Sequence, residues 1–215
     1  MNYKSVKNIV FDIDGTLVDT KKVTIPAFEM VLTELKNEGY EIEIDPKEIL
    51  KYIGYTIDSI FINLLKTNDK ILIEKSIKLL DKYEEEVLDK TENIFFDGVL
   101  EVMEYLRKNG KKLFLLSNCN IKYMNKILEK GLKEYIDSPN CSEMFDWKEK
   151  DYVLKTLMEK ELSDNFIMIG DRKHDMNAAL KNNIPCVGCD YGYGSSELTE
   201  ASVKIKNIKE LLDIL

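Results

Sequence analysis

Short apolar runs that stop at polar residues are the main pattern of this chain. Three of them are Ile9–Phe11, Leu113–Leu116 and Phe166–Ile169, and polar or glycine residues follow each one directly. Continuous apolar runs of this length are typical of strands buried on both faces, as in a parallel sheet. The pattern also predicts a strand over Ile184–Val187 and an edge strand over Val203–Ile205.

Apolar positions at helical spacing fill the stretches between these runs. Val99, Met103 and Leu106 predict a helix that Asp97 caps and Gly110 ends. The same spacing marks helices around Met124–Leu128, Val153–Leu157, Met176–Leu180 and Ile208–Leu212. The alternation of strands and helices predicts an α/β protein with a doubly wound parallel sheet. The functional site of such a sheet lies beyond the carboxyl ends of its strands, where the three polar clusters fall.

Residues 20–92 break this alternation. They carry helical stripes, such as Phe28–Leu35 and Ile73–Val87, and no convincing buried strand. We therefore predict an all-helical inserted domain over residues 20–92 and a sheet domain made of residues 1–19 and 93–215. An insertion beside the strand ends is well placed to act as a lid over the site.

Composition and charge narrow the class of protein. The chain has 215 residues, of which 44% are hydrophobic and 33% charged, and this globular composition argues against wholesale disorder. A formal net charge of −8 argues against nucleic acid as a partner. No apolar run is long enough for a membrane helix, and the first residues show no secretory hydrophobic stretch. We expect a cytoplasmic protein with no membrane partner, as a monomer or homodimer.

Carboxylates dominate the predicted strand ends. Asp12 and Asp14 come just after the first strand, and Asp171 and Asp175 come after a later one. Each alone is most simply a helix cap or turn former, so only the joint pattern points to a site. Carboxylates at one place repel one another unless a cation neutralises them, and oxygen ligands favour Mg²⁺ over zinc. Such a centre suits a phosphate ester, because an aspartate can attack phosphorus.

The third polar cluster suits the same chemistry. Ser117 and Asn118 follow a strand and precede a helix, so their backbone N–H groups can bind phosphoryl oxygens. A lysine is also needed there, because the phosphoryl group brings further negative charge.

Four segments resemble motifs of a known superfamily. The segment Phe11–Thr20 resembles the first motif of the haloacid dehalogenase superfamily, Leu116–Asn118 its second motif, and Ile169–Met176 its fourth. The tail Val187–Leu198 is similar to the phosphoglycolate phosphatase-like branch. The resemblance spans the chain and implies a Rossmann-like core with a small helical cap domain, here residues 20–92.

The resemblance implies roles for the four aspartates. Asp12 would be the nucleophile and a Mg²⁺ ligand. Asp14 would protonate the leaving oxygen and then activate the hydrolytic water, and its backbone carbonyl would bind Mg²⁺. Asp171 would complete the metal site, and Asp175 would be a ligand or would orient one.

The resemblance also implies a set of phosphate-binding residues. Ser117 and Asn118 would hold the phosphoryl group, and Thr16 would help to position the loop of the first motif. The third motif is a lysine at the start of a helix, for which we predict Lys150, with Lys148 as the alternative. The family often has Lys-Pro or Lys-Gly at this point, and neither is present.

Asp14 distinguishes between reactions of the superfamily. Its dehalogenases lack an acid at this position because a departing halide needs no proton, whereas an alkoxide does. We therefore predict a Mg²⁺-dependent phosphatase that hydrolyses a small phosphorylated metabolite through an aspartyl-phosphate. A phosphosugar mutase of the same fold and a pyrophosphatase are the alternatives, and nucleotides also stay open as substrates. A non-catalytic binding module is disfavoured because the charged groups needed for turnover are all present.

Substrate choice would depend on the cap domain. Lys51 and Tyr55 lie in a predicted cap loop and are candidates for substrate contact. The alternative is that both are ordinary surface residues.

Overall fold

In the computed structural model, which describes residues 3–215, six strands form one parallel sheet. The strands are β1 (Asn8–Phe11), β2 (Lys112–Ser117), β3 (Ser138–Cys141), β4 (Phe166–Gly170), β5 (Cys186–Cys189) and β6 (Val203–Ile205). Their order across the sheet is β3-β2-β1-β4-β5-β6, so β1 lies in the middle between β2 and β4. The predicted doubly wound parallel sheet is confirmed.

Helices flank this sheet within the same compact unit, which comprises the residues up to Val18 and Phe95–Leu215. They are α4 (Val99–Lys108), α5 (Ile121–Ile127), α6 (Lys150–Lys160), α7 (Lys173–Lys181) and α8 (Leu211–Ile214). Successive side chains of a strand point to opposite faces, so one face collects alternate residues such as Val10, Phe114 and Met168. These three residues form one buried core with apolar residues of α6 and α7.

Two strands differ from the sequence prediction. The strand predicted over Ile184–Val187 is observed as β5 at Cys186–Cys189. Pro185 explains the later start, because proline has no N–H to donate to a sheet ladder. The edge strand β3 has the sequence Ser-Pro-Asn-Cys and was not predicted, because it contains no apolar run.

The start of α4 also differs from its prediction. Asp97 was expected to cap this helix, but Gly98 precedes its first residue, with φ at 89°. That left-handed conformation favours glycine, so the backbone turn rather than a side-chain cap begins the helix.

The second compact unit, Asp19–Ile94, has only helical elements and contains no strand. It contains α1 (Thr24–Asn37), a 3₁₀ segment (Pro46–Lys51), α2 (Ile57–Leu65) and α3 (Lys70–Lys90). Phe28 of α1 and Phe61 of α2 lie in its core with ring centroids 5.9 Å apart. Its assignment as a cap domain stays a prediction. No helix among residues 3–215 is long and apolar enough to cross a membrane.

Candidate active site

Three buried carboxylates meet at the carboxyl end of the central strands. Asp12 follows β1 and Asp171 follows β4, and the parallel register pairs Phe11 with Ile169 just before them. Asp175 lies in the first turn of α7, which begins directly after this strand end. Oxygen atoms of the three carboxylates lie within 4.8 Å of one another, and all three residues are buried. We call Asp12, Asp171 and Asp175 the carboxylate cluster.

The backbone at two glycines, Gly15 and Gly192, packs closely against the side chain of Asp171. Gly15 has φ at 79°, and a Cβ atom at this position would overlap the carboxylate of Asp171. A Cβ atom at Gly192 would overlap the same side chain from the tail segment. The N–H of Tyr193 donates a hydrogen bond of 2.7 Å to Asp171 Oδ2. Glycines at both positions are therefore required for Asp171 to reach the cluster.

Lys150 is the cation of the carboxylate cluster. Its Nζ lies 2.8 Å from Asp12 Oδ1 and 2.7 Å from Asp175 Oδ1, and its side chain is 2% exposed. Burial disfavours its charged form, but the charges of Asp12 and Asp175 outweigh this effect and raise the pKa of Lys150. Lys150 begins α6, whereas Lys148, the alternative candidate, lies exposed two residues earlier.

The cluster carries more negative charge than Lys150 balances. Burial raises the pKa of Asp12 to about 7, and the nearby charge of Asp175 adds to this rise, while Lys150 opposes it. Burial and the charges of Asp12 and Asp175 also raise the pKa of Asp171 well above its usual range. These shifts follow from desolvation and from repulsion between like charges.

Two oxygen atoms of the cluster lack a hydrogen-bond donor. Asp12 Oδ2 and Asp171 Oδ1 are buried, and no donor among the described residues reaches either atom. Buried oxygens of this kind are costly unless something pairs with them. A hard divalent cation such as Mg²⁺ prefers carboxylate oxygens, so the residues present fit this metal.

Asp14 has a side-chain partner that the sequence did not indicate. The hydroxyl of Tyr123, on α5, donates a hydrogen bond of 2.8 Å to Asp14 Oδ1. Thr16, in the same loop, is buried, and its carbonyl accepts a hydrogen bond of 2.8 Å from the hydroxyl of Tyr191. The loop after β1 is thus held from α5 and from the tail of the sheet unit.

The second predicted motif lies at the same edge of the sheet. Ser117 ends β2, the other neighbour of β1, and it is buried. Its Oγ accepts a hydrogen bond of 3.3 Å from the N–H of Cys119. Asn118 Oδ1 accepts one of 3.0 Å from the hydroxyl of Ser142, which follows β3. The structure therefore brings this loop to the strand ends at which the carboxylate cluster lies.

Arg172 forms an ion pair near the cluster, and the sequence did not indicate which carboxylate it would meet. Arg172 is buried and donates from Nε and Nη2 to the carboxylate of Glu197, at 3.1 and 2.9 Å. Its backbone N–H donates to Asp175 Oδ2 at 3.0 Å. The only signal for these contacts was the family-like tail, because pairing across 25 residues leaves no trace in local spacing.

The two predicted cap residues belong to the helical unit. Lys51 forms an ion pair with Glu48, and its side chain is 63% exposed. The ring of Tyr55 lies edge-on to that of Tyr52, with centroids 6.2 Å apart. Contact of Lys51 and Tyr55 with a substrate stays a prediction.

The fold places this acidic centre, which is the candidate active site, at the carboxyl ends of parallel strands in an α/β protein. The sequence model of the haloacid dehalogenase-like hydrolase family matches residues 9–189, and the chain belongs to this family. The predicted resemblance is thereby confirmed, as is the prediction of a phosphoric monoester hydrolase.

Similar proteins cover nearly the whole chain. A phosphoglycolate phosphatase of Vibrio parahaemolyticus is 27% identical over 100% of this chain and 98% of its own. A 5′-nucleotidase of Pseudomonas aeruginosa is 26% identical over 88% of this chain and 85% of its own. The crystal structure of a predicted phosphatase from Clostridium acetobutylicum superposes with a TM-score of 0.81, at 26% identity and 97% coverage of both chains.

Proposed function

We propose that this enzyme is a Mg²⁺-dependent phosphatase that cleaves small phosphate monoesters through an aspartyl-phosphate on Asp12. The observation that carries the proposal is the carboxylate cluster with Lys150 between Asp12 and Asp175. Relatives named phosphoglycolate phosphatase and 5′-nucleotidase support a phosphorylated metabolite as the substrate.

Asp12, Asp171 and the backbone carbonyl of Asp14 would hold the metal ion. When bound, Mg²⁺ would supply positive charge that offsets the carboxylates and the phosphoryl oxygens. Asp175 already accepts hydrogen bonds at both oxygens, from Lys150 and from the Arg172 backbone. We therefore assign Asp175 to the orientation of Lys150.

Covalent chemistry would begin at the carboxylate of Asp12. One of its oxygens attacks phosphorus, the ester bond breaks, and the leaving oxygen takes a proton from Asp14. A water molecule then attacks the phosphorus of the aspartyl-phosphate and gives a proton to Asp14. The bond from phosphorus to Asp12 breaks, and inorganic phosphate is released.

Neighbouring residues would stabilise the phosphoryl group during both steps. Ser117 and Asn118 would donate hydrogen bonds to its oxygens, while Thr16 would keep the loop that carries Asp14 in place. Lys150 would offset negative charge as it develops, because a buried ammonium group acts strongly where water is excluded.

The helical unit Asp19–Ile94 would act as the cap domain that selects the substrate. We propose Lys51 and Tyr55 as the residues that meet the part of the substrate beyond its phosphate. This assignment extends the prediction of a helical insertion over residues 20–92.

Asp12→Asn is the direct test of the nucleophile. We expect the purified chain to release phosphate from p-nitrophenyl phosphate in Mg²⁺, to lose this activity in EDTA and to regain it with excess Mg²⁺. Asp12→Asn should abolish turnover, whereas the matched variant Asp213→Asn, at an exposed position of α8, should not. Unchanged kcat in Asp12→Asn, or full activity in EDTA, would overturn the proposal.

A substrate panel would refine the assignment. Phosphoglycolate, sugar phosphates, nucleotides and pyrophosphate should be compared by phosphate release, with isomerisation of the sugar phosphates measured in parallel. Isomerisation without phosphate release would show a mutase and contradict the hydrolase.

A further inference from the structure

The contact between Tyr123 and Asp14 joins residues that are 109 positions apart. The hydroxyl of Tyr123 donates to Asp14 Oδ1 at 2.8 Å, and Tyr123 is only 9% exposed. A hydrogen bond in a partly buried place is costly to leave unmade. This contact therefore ties the loop after β1 to helix α5.

Tyr123 itself is held firmly. Asn120 caps α5, and its side-chain oxygen accepts a hydrogen bond of 2.7 Å from the N–H of Tyr123. Met124 and Ile127, on the same helix, are fully buried and anchor it within the sheet unit. The cap fixes the backbone of Tyr123, and burial of its side chain limits the positions that the phenol can take.

Asp14 needs such a donor because a carboxylate is not fixed by its own rotamer. The terminal torsion of an aspartate is broad, so packing or a hydrogen bond must determine where its oxygens point. A proton can be given or taken only when the carboxylate lies within hydrogen-bond reach of the reacting oxygen.

We propose that Tyr123 is a positioning residue, which orients Asp14 for both proton transfers of the reaction. The proposal rests on the proposed function, because it assigns Tyr123 to the acid and base of that mechanism. Tyr123 does not touch the phosphoryl group in this scheme, and its effect passes through Asp14 alone.

Tyr123→Phe in the full chain tests the proposal, because this change removes the hydroxyl and keeps the ring. With p-nitrophenyl phosphate the first step needs little help from an acid, while breakdown of the aspartyl-phosphate needs Asp14 as base. We expect the variant to show a burst of one nitrophenolate per site and then turn over about tenfold more slowly than wild type. With β-glycerophosphate, whose leaving group needs a proton, we expect no burst and at least the same loss, with KM little changed.

The matched control is Tyr105→Phe, on α4 at 36% exposure, which should behave as wild type. If Tyr123 only supported the fold, Tyr123→Phe would lower the fraction of active protein, turnover per active site would stay unchanged, no burst beyond that of the wild type would appear, and the proposal would be wrong. Wild-type kcat of Tyr123→Phe on both esters would also overturn it. Failure of the proposed function itself would show differently, as turnover that survives Asp12→Asn.

Discussion

The sheet unit and the helical unit bury different kinds of side chain. Among residues 3–215, every charged residue that is buried belongs to the sheet unit. These residues are Asp12, Lys111, Lys150, Asp171, Arg172 and Asp175. The buried polar residues of the helical unit are Thr20, Thr24 and Ser76, none of which carries a charge.

This difference indicates that the buried charges of the sheet unit serve chemistry, whereas the core of the helical unit is held by apolar packing. Burial of charge is costly unless partners compensate for it, so stability alone gives no reason to gather three carboxylates at one edge of the sheet. The helical unit follows the opposite rule, because its core is apolar and its ion pairs, such as Lys51–Glu48, lie at the surface. Substitutions at the carboxylate cluster should therefore lower activity, whereas substitutions in the core of the helical unit should lower mainly the free energy of unfolding.

Lys150→Met should have the largest effect. It removes the cation between Asp12 and Asp175 but keeps an apolar stem of similar length. We expect kcat on p-nitrophenyl phosphate to fall by about 100–1000-fold. The free energy of unfolding should fall by about 3–5 kcal/mol, because two buried carboxylates lose their partner.

Lys148→Met is the matched control for this change, since Lys148 is exposed two residues earlier. Steady-state kinetics and urea unfolding followed by circular dichroism measure both quantities. Equal effects in Lys148→Met and Lys150→Met would contradict the special role of Lys150.

Phe61→Ala should be the most damaging of these changes for the helical unit. Phe61 is fully buried beside Phe28, and its truncation should lower the free energy of unfolding by about 3–5 kcal/mol. Ile62, the next residue on α2, is 39% exposed, so Ile62→Ala should change the free energy of unfolding by about 0.5 kcal/mol or less. Denaturant unfolding of both variants measures the difference, and similar losses would mean that Phe61 does not anchor this core.

Asp171→Asn should stabilise the metal-free protein while it abolishes activity. The pKa of Asp171 is raised in the fold, so its ionised form disfavours folding at neutral pH, whereas an amide can still accept from Tyr193. We expect a gain of about 1 kcal/mol in EDTA at pH 7. The gain should vanish below about pH 4, where the carboxyl is protonated in the folded and the unfolded state alike.

Asp213→Asn, at an exposed position on α8, controls for the simple loss of a negative charge. Thermal unfolding in EDTA across this pH range compares the two variants. A loss of stability in Asp171→Asn at pH 7 would show that repulsion within the carboxylate cluster is already compensated.

Lys51→Ala should have the smallest effect on stability. Its ion pair with Glu48 is exposed, and such pairs contribute little, so the unfolding transition should not move. If Lys51 meets the substrate, KM for the best substrate of the panel should rise, while Lys47→Ala, at a neighbouring exposed position, leaves KM unchanged. An unchanged KM in both variants would remove Lys51 from the substrate site.

Much of the sheet was predictable, because a strand that is buried on both faces has a continuous apolar sequence. The apolar runs that became β1, β2 and β4 are continuous, and polar residues follow at or just after the end of each. The strand β3 was not predictable in this way, because its sequence is polar and it becomes a strand by pairing with β2. Tertiary pairing thus overrode local preference at the edge of the sheet.

The candidate site, like the sheet, was predictable from the sequence only in part. Asp12, Asp14 and Asp171 could be singled out from their positions after strands, and the family-like motifs added roles for them. The sequence favoured Lys150 over Lys148 only through its place at the start of the predicted helix. Burial in the folded chain distinguishes them, since only Lys150 lies against the carboxylates.

The amino-acid order by itself determined the kind of sheet, the helical character of the inserted stretch and the presence of carboxylates at strand ends. These features depend on local periodicity and on residue chemistry, which a sequence displays directly. The folded structure alone decided that Tyr123 reaches Asp14 and that Arg172 pairs with Glu197. Such contacts join residues far apart in the chain, and their geometry exists only after the strands have taken their order in the sheet.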